Sequence, residues 1–207
     1  MKLLIATHNP NKRIELQALL ADHPTIELLT LSDLNITEEP EETEVTFEGN
    51  AILKARWAMR RSGLISLADD SGLEIDALNK EPGVMSARYL GKETPYTIKN
   101  TLILERLQNC ADRGARFISV VAMAFPQPIV TQGHQTDIIV SEGIMEGTIG
   151  FRAEGSNGFG YDPIFIPEGY AQTYAQLTTE EKNRVSHRGK AFRNAIRQLT
   201  KGDPHAL

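Results

Sequence analysis

The sequence predicts a mixed α/β protein, a twisted sheet with flanking helices, and three observations predict it. Short apolar runs such as Lys2–Ala6 and Ile26–Leu31 have the length and composition of buried strands. Between them, Ile14, Leu16, Leu19 and Leu20 recur at helical spacing. Further on, Phe117–Phe125 and Ile129–Val140 are long β-rich runs that read as paired strands. Parallel βαβ order is not evident in the pattern, so no doubly wound sheet is predicted.

In chain order, strand Lys2–Ala6 leads through the polar turn Thr7–Lys12 into a helix over Arg13–Leu20. Ile26–Leu31 is the second strand, and the acidic stretch 38–46 (EEPEETEVT) reads as a solvated loop. Phe47–Arg61 is a helix whose Phe47, Ala51, Leu53, Ala55 and Ala58 are available to pack. Ile65–Ala68 reads as a brief strand running into an Asp-Asp-Ser-Gly turn, with an alternating strand at Leu73–Leu78 beyond it. Pro95–Leu107 is a third helix, and the paired strands should turn at Pro126-Gln127-Pro128. Gly143–Gly169 reads largely as loop with a short strand at Ile164–Ile166. Ser186 is a suitable N-cap for a last helix reaching about Thr200.

A length of 207 residues fits one α/β domain, or two lobes sharing one core. The composition, 41% hydrophobic and 24% charged, is that of a globular protein. A net charge of -5 with alternating signs leaves no basic stripe, which argues against a nucleic-acid partner. No apolar run approaches the roughly 20 residues of a membrane span, and Lys2–Ala6 is too short for a secretory leader. The single cysteine, Cys110, has no internal partner for a disulfide, so a cytoplasmic location is expected.

Five segments carry residue types suited to chemistry. Thr7-His8-Asn9-Pro10-Asn11-Lys12 lies between a strand and a helix, where backbone N–H groups, a lysine and the helix dipole converge on an anion; a plain connecting turn is the alternative. Asp69 and Asp70, with Ser71 and Gly72, place two carboxylates side by side at a strand end, a repulsion that a divalent cation or a raised pKa relieves; an exposed turn is the alternative. Glu48, in the first turn of a helix, either completes a metal's oxygen shell or complements the helix dipole. Gly158-Phe159-Gly160-Tyr161-Asp162 lets a backbone approach a flat ligand while a ring stacks on it, with Asp162 as a hydrogen-bond acceptor for base or sugar; an ordinary glycine turn is the alternative. Lys182, His187 and Arg188 bring cations to a helix start, where they oppose the macrodipole unless an anion or an electron-rich carbonyl binds there; a solvated basic patch is the alternative.

Together and in this order the segments ATHNPNK, TFEGNAILKA, LADDSGLEIDAL, PGVMSARY, GSNGFGYDPIFIP and KNRVSHRGKAF resemble the inosine/xanthosine triphosphate pyrophosphatase family over nearly the whole chain. The resemblance implies two lobes around a central substrate cleft, one functional domain over residues 1–207, a homodimer and a magnesium ion. It also implies hydrolysis of non-canonical purine nucleoside triphosphates (ITP, dITP, XTP) to the monophosphate and pyrophosphate. Carried onto this chain, Thr7 to Lys12 are triphosphate contacts, Asp70 is proton acceptor and metal ligand, Asp69 stands beside it and Ser71 touches substrate. Phe159 to Asp162 match the base-binding segment, and Lys182, His187 and Arg188 the remaining nucleotide contacts. His8 and Asn11 stand where the family usually has glycines, and Gly49 where it commonly has a glutamate, so Glu48 becomes the candidate metal ligand. The residues leave two rivals open: a pyrophosphatase for canonical or pyrimidine triphosphates, and a nucleotide-binding module without hydrolysis.

Overall fold

The structure is a computed structural model and describes residues 1–21 and 23–202. One six-stranded sheet has its strands in the order β2-β1-β3-β4-β5-β6; among the described residues three α-helices lie in the connections between strands and two follow the last strand. The expectation of a mixed α/β fold holds. The strands are β1 (Lys2–Ile5), β2 (Glu27–Thr30), β3 (Ile65–Ile75), β4 (Gly114–Thr131), β5 (His134–Ile149) and β6 (Phe165–Pro167). The helices are α1 (Pro10–Leu19), α2 (Phe47–Ser62), α3 (Tyr96–Arg106), α4 (Thr179–Val185) and α5 (His187–Gly202). Strand β1 is parallel to both β2 and β3, and β5 is antiparallel to β6.

By internal contacts the chain divides into two compact units, and the division falls inside β3, β4 and β5. The first unit holds Met1–Asp70, Ser119–Gly143 and the chain from Arg188 onward; its core includes Leu3, Ile5, Leu16, Leu67, Val121 and Phe192. The second holds Ser71–Ile118 and Ile144–His187, around Leu73, Ile103, Phe117, Ile149, Phe165 and Tyr174.

Local chemistry sets the helix starts. Asn9 caps α1, its side chain accepting from the backbone N–H of Asn11 and Lys12, and Pro10 occupies the first helical position, where its missing N–H costs nothing. The helix therefore begins three residues before the Arg13 start that the apolar spacing predicts. Thr46 caps α2 by accepting from Gly49 N–H, and Gly63, at φ +70°, closes its other end.

Three sequence expectations need correction. Asp69 to Gly72 is not a turn: Ile65–Ile75 forms one continuous strand, nearly all of it buried. That burial pattern belongs to an interior strand covered on both faces, which does not alternate. The long strands turn not at Pro126-Gln127-Pro128, which lies in an exposed part of β4, but at Gln132-Gly133. Those two residues have φ of +51° and +79°, the left-handed pair a two-residue hairpin needs. Finally, Gly143–Ile149 belongs to β5 rather than to a loop, and helix α4 was not anticipated.

Candidate active site

In the first unit the chemistry gathers where the end of β1, the start of α1, α2, β3 and the start of α5 supply side chains to one buried charge network. Consecutive strand residues face opposite sides, so Asp69 and Asp70 acquire different partners. Asp69 is buried; Lys12 Nζ lies 3.1 Å from its Oδ1, and Arg188 Nε donates to its Oδ2 at 3.0 Å. Arg188 is equally buried and its guanidinium also pairs with Glu15. Although burial alone would raise it, the charges of Lys12, Arg188 and Lys54 hold the Asp69 carboxyl well below the usual carboxylate range. Asp69 is thus a fixed anion.

Asp70 differs. Its Oδ1 accepts from Lys54 Nζ at 3.0 Å and its Oδ2 from Asn50 Nδ2 at 3.2 Å. Burial pushes its carboxyl above the ordinary value, opposed by Lys54 and Lys12 and aided by the charge of Glu42. Lys54 bridges Asp70 to Glu42, whose Oε1 is 2.6 Å from the same ammonium. Burial lowers the Lys54 pKa, but Asp70 and Glu42 outweigh it and the ammonium is held charged. Lys12 goes the other way, lowered chiefly by burial despite Asp69. Asp70 is thus a buried carboxyl raised above its ordinary value and oriented by two side-chain donors.

The acidic stretch is more than a solvated loop. Glu42 reaches Lys54, Glu44 exchanges backbone hydrogen bonds with the Asn50 side chain, and Glu39 accepts from the His8 N–H at 2.8 Å. The buried positive charge on Lys54 draws Glu42 back onto the fold. Glu48, by contrast, is exposed in the first turn of α2. A side chain at Gly49 would meet Glu44 Cβ at 2.8 Å, so Glu44 fills the room a larger residue would need. In the loop of the first segment, Thr7 Oγ1 accepts from Asn9 N–H at 3.1 Å, His8 and Asn11 are exposed, and Lys12 points to Asp69.

The second unit carries the glycine-aromatic segment. Asp162 is buried, and its Oδ2 accepts from Phe159 N–H at 2.7 Å and from Lys182 Nζ at 2.6 Å. That oxygen therefore fixes the loop and the lysine. Gly158, at φ +72°, packs so closely on Asp162 that a Cβ there would overlap the carboxylate. The Lys182 ammonium stands 5.0 Å from the Phe159 ring centroid and 5.6 Å from that of Tyr174. Tyr174 in turn neighbours His187, and the His187 imidazole stacks on Phe117 at 4.6 Å with planes 7° apart. Tyr161 is a core side chain, its hydroxyl donating to Ser86 O at 2.8 Å, so its ring is not one on which a ligand stacks. Ser71 follows Asp70 on β3 and is half-buried.

The structure thus brings Lys12, Asp69, Asp70 and Arg188 together in one unit, and Phe159, Asp162, Lys182 and His187 in the other. Arg188 and His187, adjacent in sequence, serve different clusters. The helix-start mismatch at Arg188 is met by Asp69 and Glu15. Sequence reasoning missed Glu15, Glu42, Asn50 and Lys54. Asn50 carried a signal, being a polar residue on the otherwise apolar stripe Phe47, Ala51, Ala55, Ala58.

The Ham1 family model matches residues 3–198. The chain belongs to the Ham1 family. A dITP/XTP pyrophosphatase from Elusimicrobium minutum is 45% identical over 204 residues, covering 96% of this chain and 100% of the relative. A dITP/XTP pyrophosphatase from Christiangramia forsetii is 43% identical, covering 97% and 100%. Among solved structures, a HAM1 protein from Coxiella burnetii superimposes with a TM-score of 0.84 at 39% identity, over 97% of this chain and 98% of the other. The Ham1 protein of Staphylococcus aureus gives 0.81 at 36% identity, over 96% and 97%. The Ham1 match takes in every candidate residue named above, from Thr7 to Arg188.

Proposed function

We propose that this Ham1-family protein hydrolyses non-canonical purine nucleoside triphosphates, ITP, dITP and XTP, to the monophosphate and pyrophosphate. The observation that carries the reading is Asp70. It is a buried carboxyl raised above its ordinary value, oriented by Lys54 and Asn50, on the strand that also presents Asp69 to Lys12 and Arg188. The relatives' names supply the substrate class.

In the proposed reaction Asp70 accepts a proton from water as the water oxygen bonds to the α-phosphorus. The bond from that phosphorus to the oxygen bridging toward the β-phosphate breaks, and pyrophosphate leaves with the electron pair. Lys12 and the N–H groups at the start of α1 offset charge on the phosphates. Asp69 stays ionised and keeps Lys12 and Arg188 in place. Lys54 holds the orientation of Asp70.

The donor set also fits a magnesium ion. Asp70 and Glu42 already share one cation, the Lys54 ammonium. No group of three or more His, Cys, Asp or Glu at ligating positions exists among the described residues. Magnesium is commonly held by one or two carboxylates plus substrate phosphates and water. Asp70 and Glu42 are the residues that would hold it, with Glu42 in the part first expected of Glu48; Asp69 is committed to its cations. When bound, the ion would neutralise triphosphate charge that otherwise repels the attacking oxygen.

Base selection is assigned to the second unit, where Lys182 and His187 are donors for a 6-oxo group and Phe159 a ring for the purine. A 6-amino group leaves such donors unmatched, at roughly 1–3 kcal/mol each. Residues 1–207 are proposed to act as one functional domain, in a cytoplasmic homodimer, on free nucleotides rather than on nucleic acid. A substrate panel tests the reading: with magnesium, ITP, dITP and XTP should release pyrophosphate far faster than ATP or dUTP, and comparable rates on all five would contradict it.

A further inference from the structure

Helix α3 buries two polar side chains on a face that packs into the second unit, Lys99 fully and Asn100 to 5% exposure. A buried amide or ammonium carries a desolvation cost unless it makes hydrogen bonds, and both of these bond to backbone carbonyls of other segments. Asn100 Nδ2 donates to Gly160 O at 3.1 Å, and Lys99 Nζ donates to Ala87 O at 2.8 Å. The two segments are also tied to each other next to these bonds: Tyr161 Oη, following Gly160, donates to Ser86 O, the residue before Ala87. Gly160 lies at φ +70° between Phe159 and Tyr161, and the Tyr96 ring of α3 sits 3.7 Å from where a Cβ would stand. A glycine held at a left-handed φ has many alternatives open to it. A side-chain amide on a rigid helix that takes its carbonyl removes most of them.

We infer that Asn100 is a positioning residue for purine selection: it fixes the Gly160 carbonyl and, through it, the orientation of the Phe159–Tyr161 backbone. The inference rests on the proposed reading that this segment meets the base. It goes further in assigning the pre-organisation of that segment to a helix that none of the substrate motifs includes. Asn100 belongs to the second unit and Asp70 to the first, so its loss should fall on recognition of the base rather than on the chemical step.

The test compares ITP and ATP kinetics in wild type and Asn100→Leu, a variant of similar volume without the donor. Loss of the bond should raise KM for ITP about tenfold while kcat falls far less, as expected for one net hydrogen bond. The ITP-to-ATP ratio of kcat/KM should shrink by a similar factor. Asn100→Asp gives a second reading with the side-chain shape kept and the donor removed, and should lose selectivity in the same way. Equal loss on ITP and ATP, or a lower melting temperature with unchanged selectivity in either variant, would reduce Asn100 to a packing role and overturn the inference. Wild type that releases no pyrophosphate from ITP would instead sink the underlying functional reading, and this inference with it.

Discussion

The ammonium of Lys54 lies 3.0 Å from Oδ1 of Asp70. The pair is largely buried, so the lysine supplies most of the attraction that keeps Asp70 ionised against its own desolvation. Removing that charge in Lys54→Met leaves burial and Glu42 to push the carboxyl further up. A base must be ionised to act, so activity falls as pH drops through its pKa. The acid limb of the kcat/KM profile should therefore move to higher pH, with activity at neutral pH down by about 10²-fold, the scale of a general-base contribution. An unmoved acid limb would argue that Asp70 is not the titrating base.

Asp69 should govern stability rather than turnover alone. Asp69→Asn strands Lys12 and Arg188 in a buried site with Glu15 as the remaining close anion for Arg188. Removing one partner from such a network costs about 3–5 kcal/mol, readable in urea unfolding. The sign of the pH effect follows from the depressed carboxyl. Its contribution is full above the unfolded aspartate value of about 4 and is lost as pH falls toward the folded value. Wild-type stability should drop steeply below that point, and the variant's drop should be shallower.

Glu42 and Glu48 make opposite predictions for metal use. Glu42→Gln removes a carboxylate that shares Lys54 with Asp70, and the magnesium concentration for half-maximal activity should rise about tenfold or more, as for lost ligand or support groups. Glu48→Gln, at an exposed position, should leave that concentration unchanged. A magnesium titration of both variants separates the two carboxylates.

Gly158 offers a backbone test. An alanine there must hold φ near +72° and would press on Asp162. Gly158→Ala should cost ~1–3 kcal/mol in strain and raise KM for ITP, because displacing Asp162 displaces Lys182. Normal KM with intact stability would show the loop to be more tolerant than its packing implies.

Much of this arrangement was legible in the sequence because it is local. The cap Asn9, the paired aspartates and the glycine-aromatic run each announce themselves within a few residues. What was misread depended on tertiary surroundings. Asp-Asp-Ser-Gly has turn chemistry, yet it forms strand because both faces of β3 are covered. Pro126 and Pro128 drew the hairpin toward themselves, while the Gln132-Gly133 pair, able to adopt left-handed geometry, makes the actual turn. Glu42 and Lys54 are ordinary charged residues in sequence, and only the fold sets the Lys54 ammonium between Glu42 and Asp70.

The central proposed role is that of Asp70 as the base toward a bound triphosphate. The most direct measurement follows pyrophosphate release and ITP affinity, with magnesium, for wild type and Asp70→Asn side by side. The expected result is rapid release by wild type and turnover lost in the variant by ~10²–10⁴-fold, with ITP binding at saturating magnesium changed far less than turnover. A variant that turns over ITP at the wild-type rate would contradict it.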